Sequence, residues 1–143
     1  MRLQISGDTG PLSQKIKDAI AHAEEVTASG ERMVLNIALN YGGRDEIVRA
    51  ARKAAQSVKD GEISVEDIDE KYMNSLMYTA NLPEVDLIIR PSGELRLSNF
   101  LLWQAAYAEF WFSDICWPDF SERDMLKAVL DYQNRDRRFG NVN

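Results

Sequence analysis

Apolar positions along this chain alternate between a period of two and a period near 3.6, and the switches between them mark out elements. Arg2–Ile5 reads as a short strand and Ser6–Pro11 as a turn. Leu12, Ile16, Ala19, Ile20, Ala23 and Val26 then recur at helical spacing, predicting an amphipathic helix over about 12–28 that Ser29-Gly30 ends. Met33–Asn40 is a strand apolar enough to be covered on both faces. Tyr41–Arg44 is a tight turn into a second helix, with Ile47, Val48, Ala51, Ala54, Ala55 and Val58 on its inner face. Ser64-x-x-Asp67 has the form of a capping box and opens a short helical region through about Tyr78. Val85–Arg90 is the next strand, Ser98–Ala108 a helix and Glu109–Ser113 a strand. A second capping box, Ser121-x-x-Asp124, begins a final helix to about Arg135.

Strand and helix alternate throughout, which calls for βαβ crossovers. The expected fold is a three-layer α/β domain, one compact unit over residues 1–143, with a parallel β-sheet flanked by helices. In such sheets ligands bind beyond the carboxyl ends of the strands. Tyr41–Arg44 and Arg90–Ser98 both follow strands, so both are expected to line one edge.

Composition narrows the function classes. With 45% apolar and 28% charged residues the chain is ordinary for a globular domain. A formal charge of −6 argues against nucleic-acid binding driven by phosphate neutralisation and against broad attraction to anionic membranes. It leaves room for a small anionic substrate held by a local arginine pair. Cys116 is the single cysteine, which fits a cytoplasmic protein, and no apolar run is long enough to span a bilayer.

The chemistry concentrates in Asp86–Trp103. An apolar strand runs into a loop with two arginines and several hydroxyls, and the loop leads to Ser98 at the start of the expected helix. Two guanidinium forks can each hold a phosphate bidentately, and a helix N-terminus adds free N–H groups. Arg90 and Arg96 are equally readable as surface residues paired with Glu84, Asp86 or Glu94. Pro91 and Gly93, which fix a bend and allow close backbone approach, tip the balance toward a phosphate loop. Ser98 is either a plain N-cap or an anion contact. Glu109 is either a salt-bridged structural residue or a magnesium ligand, and one carboxylate is not a magnesium site on its own. Asn40–Arg44 is a weaker phosphate-turn signal. His22 reads as solvated, and so does the acidic run Asp60–Glu70. Trp103, Tyr107, Trp111, Phe112 and Trp117 are most simply core, with the border of a lipid channel as the alternative.

Four ordered segments carry a family resemblance: Asn36–Ile47, Ile89–Gln104, Tyr107-Ala-Glu109 and Trp117-Pro-Asp-Phe120, followed by Arg137-Arg-Phe-Gly140. Together they resemble the motif set of the cis-prenyltransferases, the family of the undecaprenyl diphosphate synthases, from about residue 33 to 140. That resemblance implies condensation of isopentenyl diphosphate onto an allylic prenyl diphosphate to make a polyprenyl diphosphate with cis double bonds. It implies that Arg90, Arg96, Leu97 and Ser98 hold the isopentenyl diphosphate and that Glu109 helps bind Mg²⁺ in the site of a dimer partner. Arg138 and Gly140 would belong to the C-terminal element that reaches a neighbouring subunit. Leu35, Ile37 and Leu39 would wall the channel for the growing chain. The implied assembly is a homodimer or a pairing with a full-length homologue, with at most peripheral membrane contact through lipid product.

The chain also departs from the family pattern. The Asp-Gly-Asn-Gly-Arg loop, whose aspartate organises Mg²⁺ and the allylic diphosphate, does not occur in it. Gly7-Asp8-Thr9-Gly10 lacks the following Asn-Gly-Arg, so no catalytic aspartate is assigned. Pro91 stands where relatives often carry threonine, which removes one hydroxyl contact. The expectation is therefore a C-terminal portion of such an enzyme that begins at its own methionine and is inactive alone. The alternative is a non-catalytic partner subunit or a diphosphate-binding remnant.

Overall fold

A computed structural model of the chain describes residues 1–136 and divides it into two compact units, Met1–Leu82 and Pro83–Asn143. Both are α/β, with parallel strands and flanking helices. Where the sequence reading expects one sheet, the described strands form two parallel pairs.

In the first unit β1 (Arg2–Ser6) pairs with β2 (Val34–Ala38), with Arg2 opposite Val34 and Ser6 opposite Ala38. The crossover between them is α1 (Gln14–Thr27). Two α1 side chains take up the outward N–H groups of β1. Leu3 donates to Thr27 Oγ1 at 3.0 Å and Ile5 donates to Glu24 Oε1 at 3.1 Å. The expectation that β2 is covered on both faces does not hold, since Leu35 and Ile37 are about two-fifths exposed.

Asn40 adopts a left-handed φ of 48° and Gly42 caps α2 (Gly43–Lys59). The buried stripe of α2 is Gly43, Glu46, Ala50 and Ala54, whereas Val48, Ala51 and Ala55 are exposed. This corrects the inner face expected from apolar spacing, and Glu46 is the reason. Its carboxylate is 1% exposed and accepts hydrogen bonds from the Tyr41 hydroxyl and the Tyr78 N–H, both at 2.6 Å. A charged residue becomes an inward one when its oxygens are satisfied. The Arg49 guanidinium lies 3.8 Å from the centre of the Tyr78 ring and donates to the Leu76 carbonyl at 2.7 Å. Both contacts hold the segment after α3 (Glu70–Ser75) against α2. The Ser64–Asp67 capping box forms, but over a 3₁₀ turn at Val65–Asp67, and Asp69 caps α3 itself.

In the second unit β3 (Leu87–Arg90) pairs with β4 (Glu109–Phe112), with Leu87 opposite Glu109 and Arg90 opposite Phe112. The helix expected over Ser98–Ala108 is not formed. Ser98, Asn99 and Leu101 have φ of 47°, 66° and 45°, and three left-handed residues cannot propagate a right-handed helix. The segment is a series of turns, closed by bonds such as Phe100 N–H to Leu97 O and Ala108 N–H to Ala105 O. Ser98 is therefore not a helix cap. Among the described residues of this unit, Ile88, Ala105, Trp111 and Ala128 are the buried apolar ones. Trp111 donates its indole N–H to Asp131 Oδ2 at 2.8 Å, fastening β4 to α4 (Glu122–Gln133). Of the other aromatics read as core, Tyr107, Phe112 and Trp117 are exposed and Trp103 is half-buried.

The Ser121–Asp124 capping box opens α4 as expected. The side-chain and backbone hydrogen bonds from Ser121 hold the Asp124 carboxyl below its ordinary range. A lowered carboxyl pKa adds stability above the unfolded-state value of about 3.9, and that stability fades as pH falls through the folded value. An NMR titration should find the Asp124 pKa depressed in the wild type and raised toward the ordinary value in Ser121→Ala.

Candidate functional site

The carboxyl end of β3 brings three sequence-predicted residues together. Arg90 is the last residue of the strand, and Pro91 follows it. Ser92 (φ 78°) and Gly93 (φ 70°) then turn the chain back, with their N–H groups donating to the carbonyls of Ile115 and Ser113, both at 2.8 Å. Non-glycine residues held in this region cost free energy, and such positions concentrate where a loop must present side chains in one place. Arg90 Nη2 donates to Ser98 Oγ at 3.3 Å, and Arg96 Nε donates to the same oxygen at 3.2 Å. Glu94 pairs with Arg96. The Arg96 side chain is 63% exposed, so this pair lies open to solvent. Leu97 is half-buried beside them, and its carbonyl accepts from Phe100 N–H.

The electrostatics favour an anion. Two guanidinium groups converge on one neutral hydroxyl, and among the described residues the one carboxylate in a salt bridge with them, Glu94, leaves one positive charge over. A serine oxygen has two lone pairs and one proton. With both lone pairs facing arginine donors, the hydroxyl proton is left to donate outward. Five guanidinium N–H groups per arginine and one hydroxyl proton make a donor-rich surface suited to phosphate oxygens.

Glu109 opens β4, and its Oε2 accepts from Arg135 Nη1 at 2.7 Å. Of the two readings of Glu109, the salt bridge is present here. A carboxylate held by arginine does not fit a magnesium site by itself, and the described residues contain no group of three metal-capable side chains. Arg138 and Gly140 lie outside the described residues.

In the first unit the strand ends are also knotted by polar contacts. Gly7, with φ 132°, sits so close to the Leu39 carbonyl that a Cβ would collide with it. Asn40 Nδ2 donates to the Asp8 carbonyl at 2.8 Å, and Asp8 Oδ1 accepts from Gly10 N–H at 2.9 Å. Asp8 shares a shallow basic depression with Asp45, Arg49, Arg52, Lys53 and Tyr78. Burial raises the Tyr78 pKa, with the Arg49 charge opposing it. A second depression is apolar, lined by Leu3, Ile5, Ile16, Ala19, Ile20 and Ala23. Leu35 and Ile37 stand opposite Leu3 and Ile5 in register, so they extend the same sheet face. Leu39, the third channel candidate, lies past the end of β2 and is half-buried.

Sequence reasoning missed Glu46 and Arg49. Their signal was present only as a buried-face spacing from Gly43 to Ala54 that happens to pass through a charged residue.

Comparison with known proteins gives the context for this geometry. A family model described as "Putative undecaprenyl diphosphate synthase" matches residues 1–140. The chain belongs to the cis-prenyltransferase family. An isoprenyl transferase of Clostridium perfringens is 54% identical over 142 residues, which are 99% of this chain and 56% of that protein. A ditrans,polycis-undecaprenyl-diphosphate synthase ((2E,6E)-farnesyl-diphosphate specific) of Vibrio vulnificus is 49% identical over 98% of this chain and 56% of its own length. The chain therefore spans a little over half the length of these relatives. The crystal structure of lavandulyl diphosphate synthase from Lavandula x intermedia, in complex with dimethylallyl diphosphate, matches with a TM-score of 0.93 at 40% identity. That match covers 98% of this chain and 60% of the synthase. Among the described residues of this family member, no helix is long and apolar enough to cross a membrane.

The partly exposed Glu109–Arg135 pair sets a stability expectation. Glu109→Gln should lower unfolding free energy by about 0.5 kcal/mol, the range of solvent-screened pairs. Urea denaturation of the two proteins checks it, and a loss of several kcal/mol would mark Glu109 as a core structural residue instead.

Proposed function

We propose that this chain carries the isopentenyl diphosphate side of a cis-prenyltransferase centre. The observation that carries the reading is the convergence of Arg90 and Arg96 on Ser98 Oγ. In this reading each guanidinium turns a pair of N–H groups to the diphosphate, and the Ser98 hydroxyl donates its proton to a third oxygen. The left-handed turns at Ser92–Gly93 and Ser98–Asn99 hold the donors in place before the ligand arrives, which lowers the ordering cost of binding. The apolar sheet face of Leu3, Ile5, Leu35 and Ile37 has the chemistry to accept a prenyl chain.

The 143 residues contain no Asp-Gly-Asn-Gly-Arg loop, so the polypeptide by itself binds the homoallylic substrate and does not turn it over. Positioning and charge stabilisation provide most of the rate in such a transfer, and half of the donor set is not in these residues. A magnesium site that used Glu109 would need diphosphate oxygens and a further carboxylate, and Arg135 would have to release it.

Calorimetry with isopentenyl diphosphate tests the reading. Binding should weaken as salt rises, and Arg96→Ala should weaken it by about 10- to 100-fold, the value of a charge-assisted bond. Equal affinity for wild type and Arg96→Ala would reject the site. Added farnesyl diphosphate and Mg²⁺ should yield no labelled polyprenyl product from the 143-residue chain.

A further inference from the structure

Asp45, Arg49, Arg52 and Gln56 recur along α2 at spacings of three and four, which puts them on one stripe of the helix with Lys53 beside them. With Asp8 and Tyr78 they line a depression of about 470 Å³, within the size range of small-molecule sites. A solvated helix face would tie such charges into pairs four residues apart, and this one does not. Arg49 is four residues from Asp45, yet no salt bridge joins them. Its guanidinium is pinned instead by the Tyr78 ring and the Leu76 carbonyl. The Arg49 Nε–H is buried without a hydrogen-bond partner among the described residues. Arg52 and Lys53 are exposed and form no salt bridge there either. Like charges three and four residues apart repel, so this face carries a cost that folding does not explain.

The depression is also polarised along its length. Its carboxylates, Asp8 just past β1 and Asp45 in the first turn of α2, stand at the carboxyl end of the strands. Arg52 and Lys53 lie two turns further along α2, on the order of 10 Å away at the helical rise. Asp60, four residues beyond Gln56, is held by the Gln56 amide at 2.8 Å. Tyr78 feels both kinds of charge. Burial raises its pKa most, Arg49 lowers it, and Asp8, Asp45 and Glu46 raise it. Its phenol is therefore neutral at physiological pH and can both donate and accept.

We infer that this depression binds a soluble phosphate ester that carries hydroxyl groups at its other end, the chemistry of a sugar phosphate. Arg52 and Lys53 take the phosphate, since guanidinium and ammonium groups are its natural donors. Asp8 and Asp45 accept hydrogen bonds from the hydroxyls, because an ionised carboxylate can only accept. A bare anion suits the cationic end and is repelled by the other, so only a two-ended ligand uses the whole depression. The formal charge of −6 disfavours an anionic lipid surface as the source of the phosphate. The depression lies wholly within the first unit and owes nothing to the isopentenyl diphosphate reading, so either can fail without the other.

The test is NMR of the full chain titrated separately with ribose 5-phosphate, inorganic phosphate and ribose. Ribose 5-phosphate should shift the Arg49 and Arg52 Nε–H signals and the Tyr78 amide along one isotherm. Inorganic phosphate should bind about 10-fold more weakly, having lost the hydroxyl contacts, and ribose should shift none of the three signals. The double variant Arg52→Gln/Lys53→Gln should weaken ribose 5-phosphate binding by about 10-fold or more, the value of a charge-assisted bond. Asp45→Asn separates the two ends, since it should weaken ribose 5-phosphate and strengthen inorganic phosphate. The three substituted side chains are exposed, so the variants should keep the amide dispersion of the wild type. An Arg52 signal that stays in place throughout the ribose 5-phosphate titration would overturn the inference. So would an Asp45→Asn variant that binds both phosphates more tightly, because the carboxylate would then only repel.

Discussion

Two positive guanidinium groups drawn to one neutral oxygen repel each other unless something negative is close, and the second unit is organised around holding them there. β3 ends at Arg90, and Pro91 follows it with a fixed φ. The residues after it turn left-handed, first at Ser92 and Gly93 and again at Ser98 and Asn99, bringing Arg96 and Ser98 back to the strand end. Hydrogen bonds to Ile115 and Ser113 fix the first of these turns to the chain beyond β4. The parallel pairing of β3 with β4 and the Trp111–Asp131 bond to α4 make the floor rigid. Loop strain is thus offset by packing below it, and under the proposed function a diphosphate would relieve the remaining charge repulsion.

The first unit solves a related problem with a buried carboxylate. Glu46 satisfies the Tyr78 N–H and the Tyr41 hydroxyl, so the entry to α2 and the segment beyond α3 close on one residue. Removing one partner from such a network leaves buried polar groups unpaired, which costs more than the bonds are worth on average. In the proposed function, binding and stability therefore lean on different side chains: arginines and a serine at the open strand end, a glutamate and two tyrosines within the first unit.

How much of this is legible in the sequence depends on which force sets each feature. β1, α1, β3, β4 and α4 are legible because apolar period and capping residues act locally. The grouping of Arg90, Arg96 and Ser98 is legible because a strand end, a proline and a glycine confine six intervening residues to one loop. The missing helix at Ser98–Ala108 is not, since its apolar spacing suits a helix and only the left-handed backbone at Ser98, Asn99 and Leu101 excludes one. The inward face of α2 is not, because a hydropathy pattern treats Glu46 as polar without knowing that tyrosines will meet it. Strand pairing is not either. Alternation reports which faces are apolar, and it says nothing about which neighbour a strand has, so two parallel pairs and one larger sheet look alike.

The central claim is that Arg90, Arg96 and Ser98 act as one diphosphate-binding unit. Side-chain NMR of the arginine guanidinium groups during titration with isopentenyl diphosphate addresses it most directly. The account predicts that the Arg90 and Arg96 signals shift together along a single binding isotherm, while the Arg135 signal, held by Glu109, stays in place. Arg90 and Arg96 signals that remain unmoved at saturating ligand, or that follow different isotherms, would contradict it.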